Sequence, residues 1–361
     1  MKYIMIPVFD LKRQNQNIAR ELGKAISEVV DSRIYILGPK VAEFESAFAK
    51  YLGVKYAIGV ACGTDALTLA LLSLNIGKGD EVIMPVNAYP TAFAVVASGA
   101  NPKLVDIDPQ TFNINPNLIP QAIGKKTKAI IAVHLYGQPA QMKKIMEIGR
   151  KYHIPVIEDC AQAHGAGVGG IGEIGCFSFY PTKNLGCFGD GGMVVTDNEE
   201  LAKKIRLLRM YGEEKRYQSV ILGRNSRLDE LQAAILLVKL KYLDKWNEKR
   251  RKLAVLYSTV LGLAKLNLQL TRHVYHLFVI RAKERDKLRQ YLEEHGIQTA
   301  IHYPKPLHLV PSFKFLGHKE GDFPQSEKAS REILSLPMYP ELRKEEVRQV
   351  VRMIIRFYRL S

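Results

Sequence analysis

The stretch from Ile157 to Asn184, IEDCAQAHGAGVGGIGEIGCFSFYPTKN, constrains this chain more than any other. The run Pro155-Val156-Ile157 ends on the acids Glu158 and Asp159, the pattern of a buried parallel strand that delivers a carboxylate at its C-terminal end. A glycine-rich excursion from Gly165 to Gly175 follows. A second strand-like run, Cys176-Phe177-Ser178-Phe179-Tyr180, then stops at Pro181, just ahead of Lys183. Open α/β sheets gather their ligand sites at such strand ends. The spacing therefore predicts two neighbouring strands that end on an Asp and a Lys.

A carboxylate and an amine so placed suit pyridoxal phosphate. The amine holds the cofactor's aldehyde as a Schiff base, and the carboxylate keeps the pyridine nitrogen protonated so that the ring draws electrons. Taken singly, each residue has a commoner structural reading, Asp159 as a helix cap and Lys183 as a solvated lysine. Taken in order, EDCAQAHGA and FSFYPTKNLGCFGDGG resemble the active-site core of the DegT/DnrJ/StrS family of sugar aminotransferases, and further family-like signatures cover almost all of the chain. The resemblance implies an α/β protein of the aspartate-aminotransferase-like kind, fold type I of the pyridoxal-phosphate-dependent transferases. It has a large cofactor-binding domain, with a mostly parallel sheet flanked by helices, expected over residues 1–245. A smaller C-terminal α/β domain is expected over residues 246–361.

Strand and helix patterns alternate along the first lobe, as a doubly wound sheet requires. Tyr56 to Val60 reads as a strand, followed by Cys62-Gly63-Thr64-Asp65 and an apolar helix over 66–74. Free N–H groups and the helix dipole converge at such a start, which makes it an anion cradle as well as an ordinary N-cap. Asp80 to Pro85, Pro102 to Ile107, Ala129 to Val133 and Met193 to Thr196 read as further strands. In the resemblance, Gly63, Thr64 and Ser178 hold the cofactor phosphate, Tyr89 stacks on the ring, and Gln162 bonds near the ring oxygen. Tyr89 also reads as a core tyrosine at helical spacing. His164 stands beside the glycine-rich loop without an assigned role.

Further on, Gly223-Arg224-Asn225-Ser226-Arg227-Leu228-Asp229 resembles the family segment that reaches across a dimer. Asn225 then contacts the phosphate of the neighbouring subunit, and the resemblance implies a homodimer with shared sites. Arg227 lies close to the substrate, or pairs locally with Asp229. The charged helix from Trp246 to about Tyr257 is expected to lead into the second domain. His273 to Ile280 reads as a strand and Lys287 to His295 as a helix closed by Gly296. The segment between Tyr257 and His273 is several residues shorter than the family pattern, which bears on a loop or strand at that domain's edge. Family members that aminate C3 of the sugar tend to carry Phe-Tyr-Pro before the lysine and a His-Tyr-Pro-x-Pro-Leu-His segment. Here these are Phe179-Tyr180-Pro181 and His302 to His308, so Tyr180, His302, Tyr303 and His308 are expected at the substrate.

The substrates implied are a nucleotide-linked keto-sugar, most simply a 3-oxo sugar, and an amino-acid donor, glutamate in the family's usual practice. A nucleotide 4-keto-sugar and a cyclitol remain open as acceptors. A family dehydratase carries histidine in place of the lysine, and this chain keeps Lys183. The net charge of +16 also raises a DNA-binding regulator, but the basic residues alternate with acids and apolar residues, and no helix-turn-helix signature stands out. Neither a nucleic-acid nor a membrane partner is expected. Apolar residues at 47% and charged residues at 24% fit a globular chain, and no apolar run reaches bilayer length. Pro7 and Asp10 interrupt the apolar start, so no secretory leader is read and the expected location is cytoplasmic. Cys62, Cys160, Cys176 and Cys187 have neither disulfide-framework nor zinc spacing, and no metal site is expected.

Overall fold

The computed structural model describes residues 5–262 and 272–360. Seven strands form the main sheet: β1 (Tyr56–Val60), β2 (Glu81–Pro85), β3 (Asn101–Val105), β4 (Thr127–Val133), β5 (Val156–Asp159), β6 (Ile174–Ser178) and β7 (Gly192–Thr196). Their order is β1-β7-β6-β5-β4-β2-β3. β7 runs antiparallel to both of its neighbours, and the remaining pairs are parallel. The strands are near-continuous apolar runs such as Ala129 to Val133, because helices cover both faces and leave little room for a polar side.

Register explains where the first motif ends up. Val133 pairs with Asp159, and Asp159 with Cys176, so the C-terminal ends of β4, β5 and β6 stand side by side. The chain leaves β6 at Ser178 rather than at Tyr180. Phe179 N–H donates to Gly191 O at 2.7 Å and Cys187 N–H to Phe179 O at 2.8 Å, which folds the Lys183 segment back as a compact loop.

A second apolar core joins Leu253, Ala254 and Tyr257 of the helix Leu243–Val260 to Leu288 and Leu292 of Arg285–Glu294. The face Val347, Val350, Val351 and Ile354 of Lys344–Leu360 completes it. The opposite side of that last helix carries the exposed Arg348, Arg352 and Arg356, the amphipathic division that sets which face is buried. The N-terminal segment crosses to this lobe as well: Ile6 is buried in the second core and bonds on both sides of Ile297, through Gly296 O and Gln298 N–H. Leu243, at the start of Leu243–Val260, packs in a core of the large lobe, so one helix is anchored in both.

The strand read over His273 to Ile280 is shorter, pairing only from Phe278 to Arg281 with Ile333–Leu336. The physical reason is that Val274 N–H donates to Gly137 O at 3.0 Å and Leu277 N–H to Tyr136 O at 3.3 Å. Residues 274–277 are therefore buried against the turn after β4 instead of extending a sheet. Part of the short segment before His273, residues 263–271, lies outside the described residues.

Candidate active site

The C-terminal ends of β1, β4, β5 and β6 enclose a cavity of about 320 Å³. Gly63 and Thr64 line one end, at the start of helix Gly63–Ser73, with Ser178 facing them. A Cβ on Gly63 would come within 2.6 Å of the Ser178 Cβ, so glycine keeps open the concave start where first-turn amides are free to bind an anion. Asp159, Gln162, Lys183, Tyr180 and Tyr303 line the rest.

Asp159 sits at the tip of β5 with its carboxylate fixed from two sides. Thr91 Oγ1–H donates to Oδ2 at 2.7 Å, and Ala161 N–H donates to Oδ1 at 3.1 Å. Lys183 stands across the cavity on the loop after β6. Burial pushes its ammonium down to about 8, opposed by the charge of Asp159. At pH 7 roughly a tenth is thus the free amine, the form that attacks a carbonyl, far more than for an ordinary lysine. The next residue, Asn184, holds the loop: its Nδ2 donates to Asn247 Oδ1 at 2.8 Å and to Val274 O at 3.1 Å. Lys239 Nζ donates to Gly186 O at 2.7 Å from below.

Gln162 Oε1 accepts the Tyr136 N–H at 2.6 Å, which orients its amide, and its side chain meets the Tyr303 hydroxyl. Burial and the Asp159 charge push the Tyr303 phenol up to about 12, so it stays protonated. The Tyr303 ring stacks at 5.9 Å on Tyr89, which opens helix Tyr89–Ala97 and is itself exposed, between the cavity-lining Ala88 and Pro90. Burial and then the Lys183 charge push His302 down to about 4; it is neutral and tied to Ser335 Oγ at 2.9 Å.

Of the expected residues, Tyr89, His302, His308, Asn225 and Arg227 do not line this cavity. His308 is buried with Nε2 2.9 Å from Glu327 Oε1, and the same oxygen accepts the N–H groups of Gly321 and Phe323. It therefore stands outside the cavity lining, drawn into the packing by a neighbouring acid. Asn225 is exposed on the surface, bridged to Met210, and Arg227 Nη1 lies 3.7 Å from Met210 Sδ. No ion pair joins Arg227 to Asp229 among the described residues.

Sequence reasoning missed Thr91, whose signal is a lone polar residue in the apolar run Ala92 to Ala97 and its flanks. It also missed the partner of Glu158. Ala140 N–H donates to His134 Nδ1 at 3.0 Å, so the ring proton is on Nε2, which donates to Glu158 Oε2 at 3.1 Å. Glu158 also accepts the N–H groups of Gly169, Ile171 and Gly172. Those bonds and the His134 proton hold its carboxyl below the usual range against the opposing effect of burial. His134, Glu158 and Cys160 lie close enough to hold an ion, but this tautomer turns the pair into a hydrogen bond that anchors the glycine-rich loop. His164 packs on Phe177 and Phe179, and burial pushes it down to about 3.

The sheet order, with a lysine facing a carboxylate over an anion cradle, defines an aminotransferase of the pyridoxal-phosphate-dependent class. Residues 16–355 match the DegT/DnrJ/EryC1/StrS aminotransferase family, and the chain belongs to it. A dTDP-3-amino-3,6-dideoxy-alpha-D-galactopyranose transaminase of Aneurinibacillus thermoaerophilus is 47% identical over 98% of this chain and 99% of its own. A Geobacillus stearothermophilus protein named pleiotropic regulatory protein is also 47% identical, over 98% of this chain and 99% of its own. Among solved structures, S. venezuelae DesV in complex with a ketimine intermediate superimposes with a TM-score of 0.93 at 42% identity, covering 98% of both chains.

Proposed function

We propose that this protein moves an amino group from an amino acid, glutamate in the simplest case, to the C3 position of a nucleotide-linked 3-oxo sugar in amino-sugar biosynthesis. The observation that carries the reading is one cavity in which Lys183, with a pKa of about 8, faces Asp159 while Gly63, Thr64 and Ser178 form a bare anion cradle at the other end. These groups fit pyridoxal phosphate in charge, shape and chemistry. When bound, the cofactor supplies an electron-withdrawing ring that lets nitrogen pass between carbon centres. Gly63, Thr64 and Ser178 hold its phosphate, and Asp159 faces the ring nitrogen. Tyr89 covers a ring face, supported by Tyr303. Gln162 orients the ring edge.

Lys183 would hold the cofactor and, as the free amine, would take the donor's α-proton and give it up again within the same half of the cycle; in the other half it would deliver a proton to the sugar carbon that receives the nitrogen. Tyr180, exposed at the mouth, and Tyr303 meet the sugar. The amination at C3 draws its support from Phe179-Tyr180-Pro181, from the His302 to His308 segment, and from the 3-amino sugar named in the Aneurinibacillus relative.

The working form is a homodimer. The hairpin Glu213–Lys215 with Gln218–Ser219 carries Tyr217 at 81% exposed and leads to Leu222 at 97%, an apolar tip that a second copy would cover. Asn225 follows it and reaches the partner's phosphate cradle. A cytoplasmic location belongs to the same reading, in keeping with four free cysteines. The regulatory name of the Geobacillus relative does not favour a DNA-binding role here, because the chain keeps a complete lysine–carboxylate cavity.

The test is a panel of nucleotide-linked keto-sugars mixed with protein in the amine form of the cofactor. A true acceptor restores the visible absorbance of the Lys183-bound form. A panel in which no 3-oxo or 4-oxo nucleotide sugar does so, while another carbonyl substrate does, overturns the substrate reading.

A further inference from the structure

Helix Tyr89–Ala97 begins one residue after Ala88 at the rim of the cavity, and Pro90 and Thr91 of its first turn line it. Tyr89 stacks on Tyr303, and Thr91, two positions on, is 1% exposed and lines the cavity. A buried hydroxyl in an apolar helix is costly unless it is bonded. Thr91 meets that requirement through Asp159 Oδ2 at 2.7 Å, in the range of charge-assisted bonds between a hydroxyl and a carboxylate. The other carboxylate oxygen is held by Ala161 N–H, so both contacts fix the rotation of the carboxylate and both are donors, as an ionised acid requires.

The same helix is tied to the phosphate cradle. Thr68, one turn into Gly63–Ser73, donates to Thr64 O at 2.9 Å and to Ala94 O at 3.3 Å. One short helix thus touches the element that holds the phosphate, carries the ring-stacking residue and grips the carboxylate that faces the ring nitrogen.

We propose that Thr91 is a positioning residue for the cofactor: its hydroxyl aims the Asp159 carboxylate at the ring nitrogen and couples that aim to the placement of Tyr89. The inference rests on the pyridoxal phosphate reading of the cavity. Thr91 acts through Asp159 and leaves Lys183 and the phosphate cradle untouched. Removing the hydroxyl at constant shape releases the carboxylate to rotate, with loss of ring-nitrogen protonation and of part of the cofactor affinity.

The experiment compares wild type, Thr91→Val and Thr91→Ser by titrating cofactor-free protein with pyridoxal phosphate and by NMR of an isotope-labelled ring nitrogen in the holoenzyme. Thr91→Val is expected to raise Kd about tenfold, the loss of one charge-assisted hydrogen bond, and to move the ring-nitrogen resonance toward its unprotonated position. Thr91→Ser restores both. If Thr91→Val does not fold, Thr91→Ala removes the same donor without the branched bulk and is read in the same way. A folded variant lacking the hydroxyl that keeps the wild-type Kd and resonance overturns the inference and leaves the aminotransferase reading intact. Wild-type protein that takes up no cofactor on Lys183 overturns that reading, and this inference with it.

Discussion

Asn184 and Asn247 are joined by a 2.8 Å hydrogen bond that ties the residue after Lys183 to the helix anchored in both lobes. Asn247 donates in turn to His164 O, and Asn184 donates to Val274 O, so one buried pair links the lysine loop, the glycine-rich loop and the strap over 274–277. Replacing Asn247 by Ala leaves one of the two Asn184 Nδ2 protons and the His164 carbonyl unpaired in a dry site, while the bond to Val274 O remains. The expected cost is about 2–3 kcal/mol of stability, read as a lower denaturant midpoint. An unchanged midpoint would mean that water replaces both bonds.

Lys183 makes a direct chemical prediction. Borohydride is expected to fix pyridoxal phosphate covalently on this residue and on no other, identified by mass spectrometry of the digested protein. Lys183→Ala should lose the adduct and at least a thousandfold in turnover, roughly the scale of a lost nucleophile and base. An adduct that persists elsewhere in Lys183→Ala removes the residue from this role.

The depressed Lys183 pKa sets a pH dependence whose sign can be worked out. The amine captures the cofactor only when neutral, so the capture rate by cofactor-free protein should climb about tenfold per pH unit below 8 and level off above it. Stability follows the same direction. Because burial lowers the folded-state value below that of an ordinary lysine, the penalty is in full force below about pH 8 and fades as pH rises toward the unfolded value. Cofactor-free protein should therefore gain stability from this group across that window. A capture rate that stays flat from pH 6 to 9 contradicts the assignment.

The proposed sharing of sites between subunits is tested by mixing them. Asn225 is exposed and away from its own cavity, beside the apolar tip at Leu222. An Asn225→Ala subunit paired with a Lys183→Ala subunit should form a heterodimer with one intact site and recover up to about half of the wild-type activity per dimer. Mixtures with proven exchange that never exceed either parent exclude sharing.

Legibility in the sequence followed the physics of each signal. The strand end at Asp159 and the Gly63-Thr64 turn ahead of a helix were readable because apolar period, glycine and capping chemistry are local, whereas the second strand was read two residues too long and the helix three residues late. Thr91 was not, because a threonine in an apolar helix says nothing of the acid it will meet from a strand 68 positions away. His308 and Glu327 show the same limit in reverse: an eye-catching histidine was spent on packing, and only the fold brings its acid near. The strand over His273 to Ile280 was read too long because alternating side chains look the same whether the backbone pairs with a strand or with the turn at Tyr136 and Gly137. The crossing of Ile6 to the second lobe is a long-range contact with no local trace.

The position of the new C–N bond is the most demanding prediction. Of the segment His302 to His308, only Tyr303 lines the cavity; His302 is neutral and engaged with Ser335, and His308 is internal. Pro304 and Pro306 restrict the backbone beside Tyr303. On the proposed reading, discrimination between adjacent sugar carbons would fall to Tyr303, protonated with a pKa of about 12, and to Tyr180 at the mouth. A phenol that hydrogen-bonds a sugar hydroxyl rejects the acceptor lacking it more strongly than an apolar wall does. Product NMR with a 3-oxo nucleotide sugar is expected to place nitrogen at C3, and Tyr303→Phe should lower kcat/KM about tenfold or more through that lost contact. Nitrogen found at C4, with no turnover of 3-oxo sugars, rejects the C3 assignment while the lysine, the carboxylate and the family remain as described.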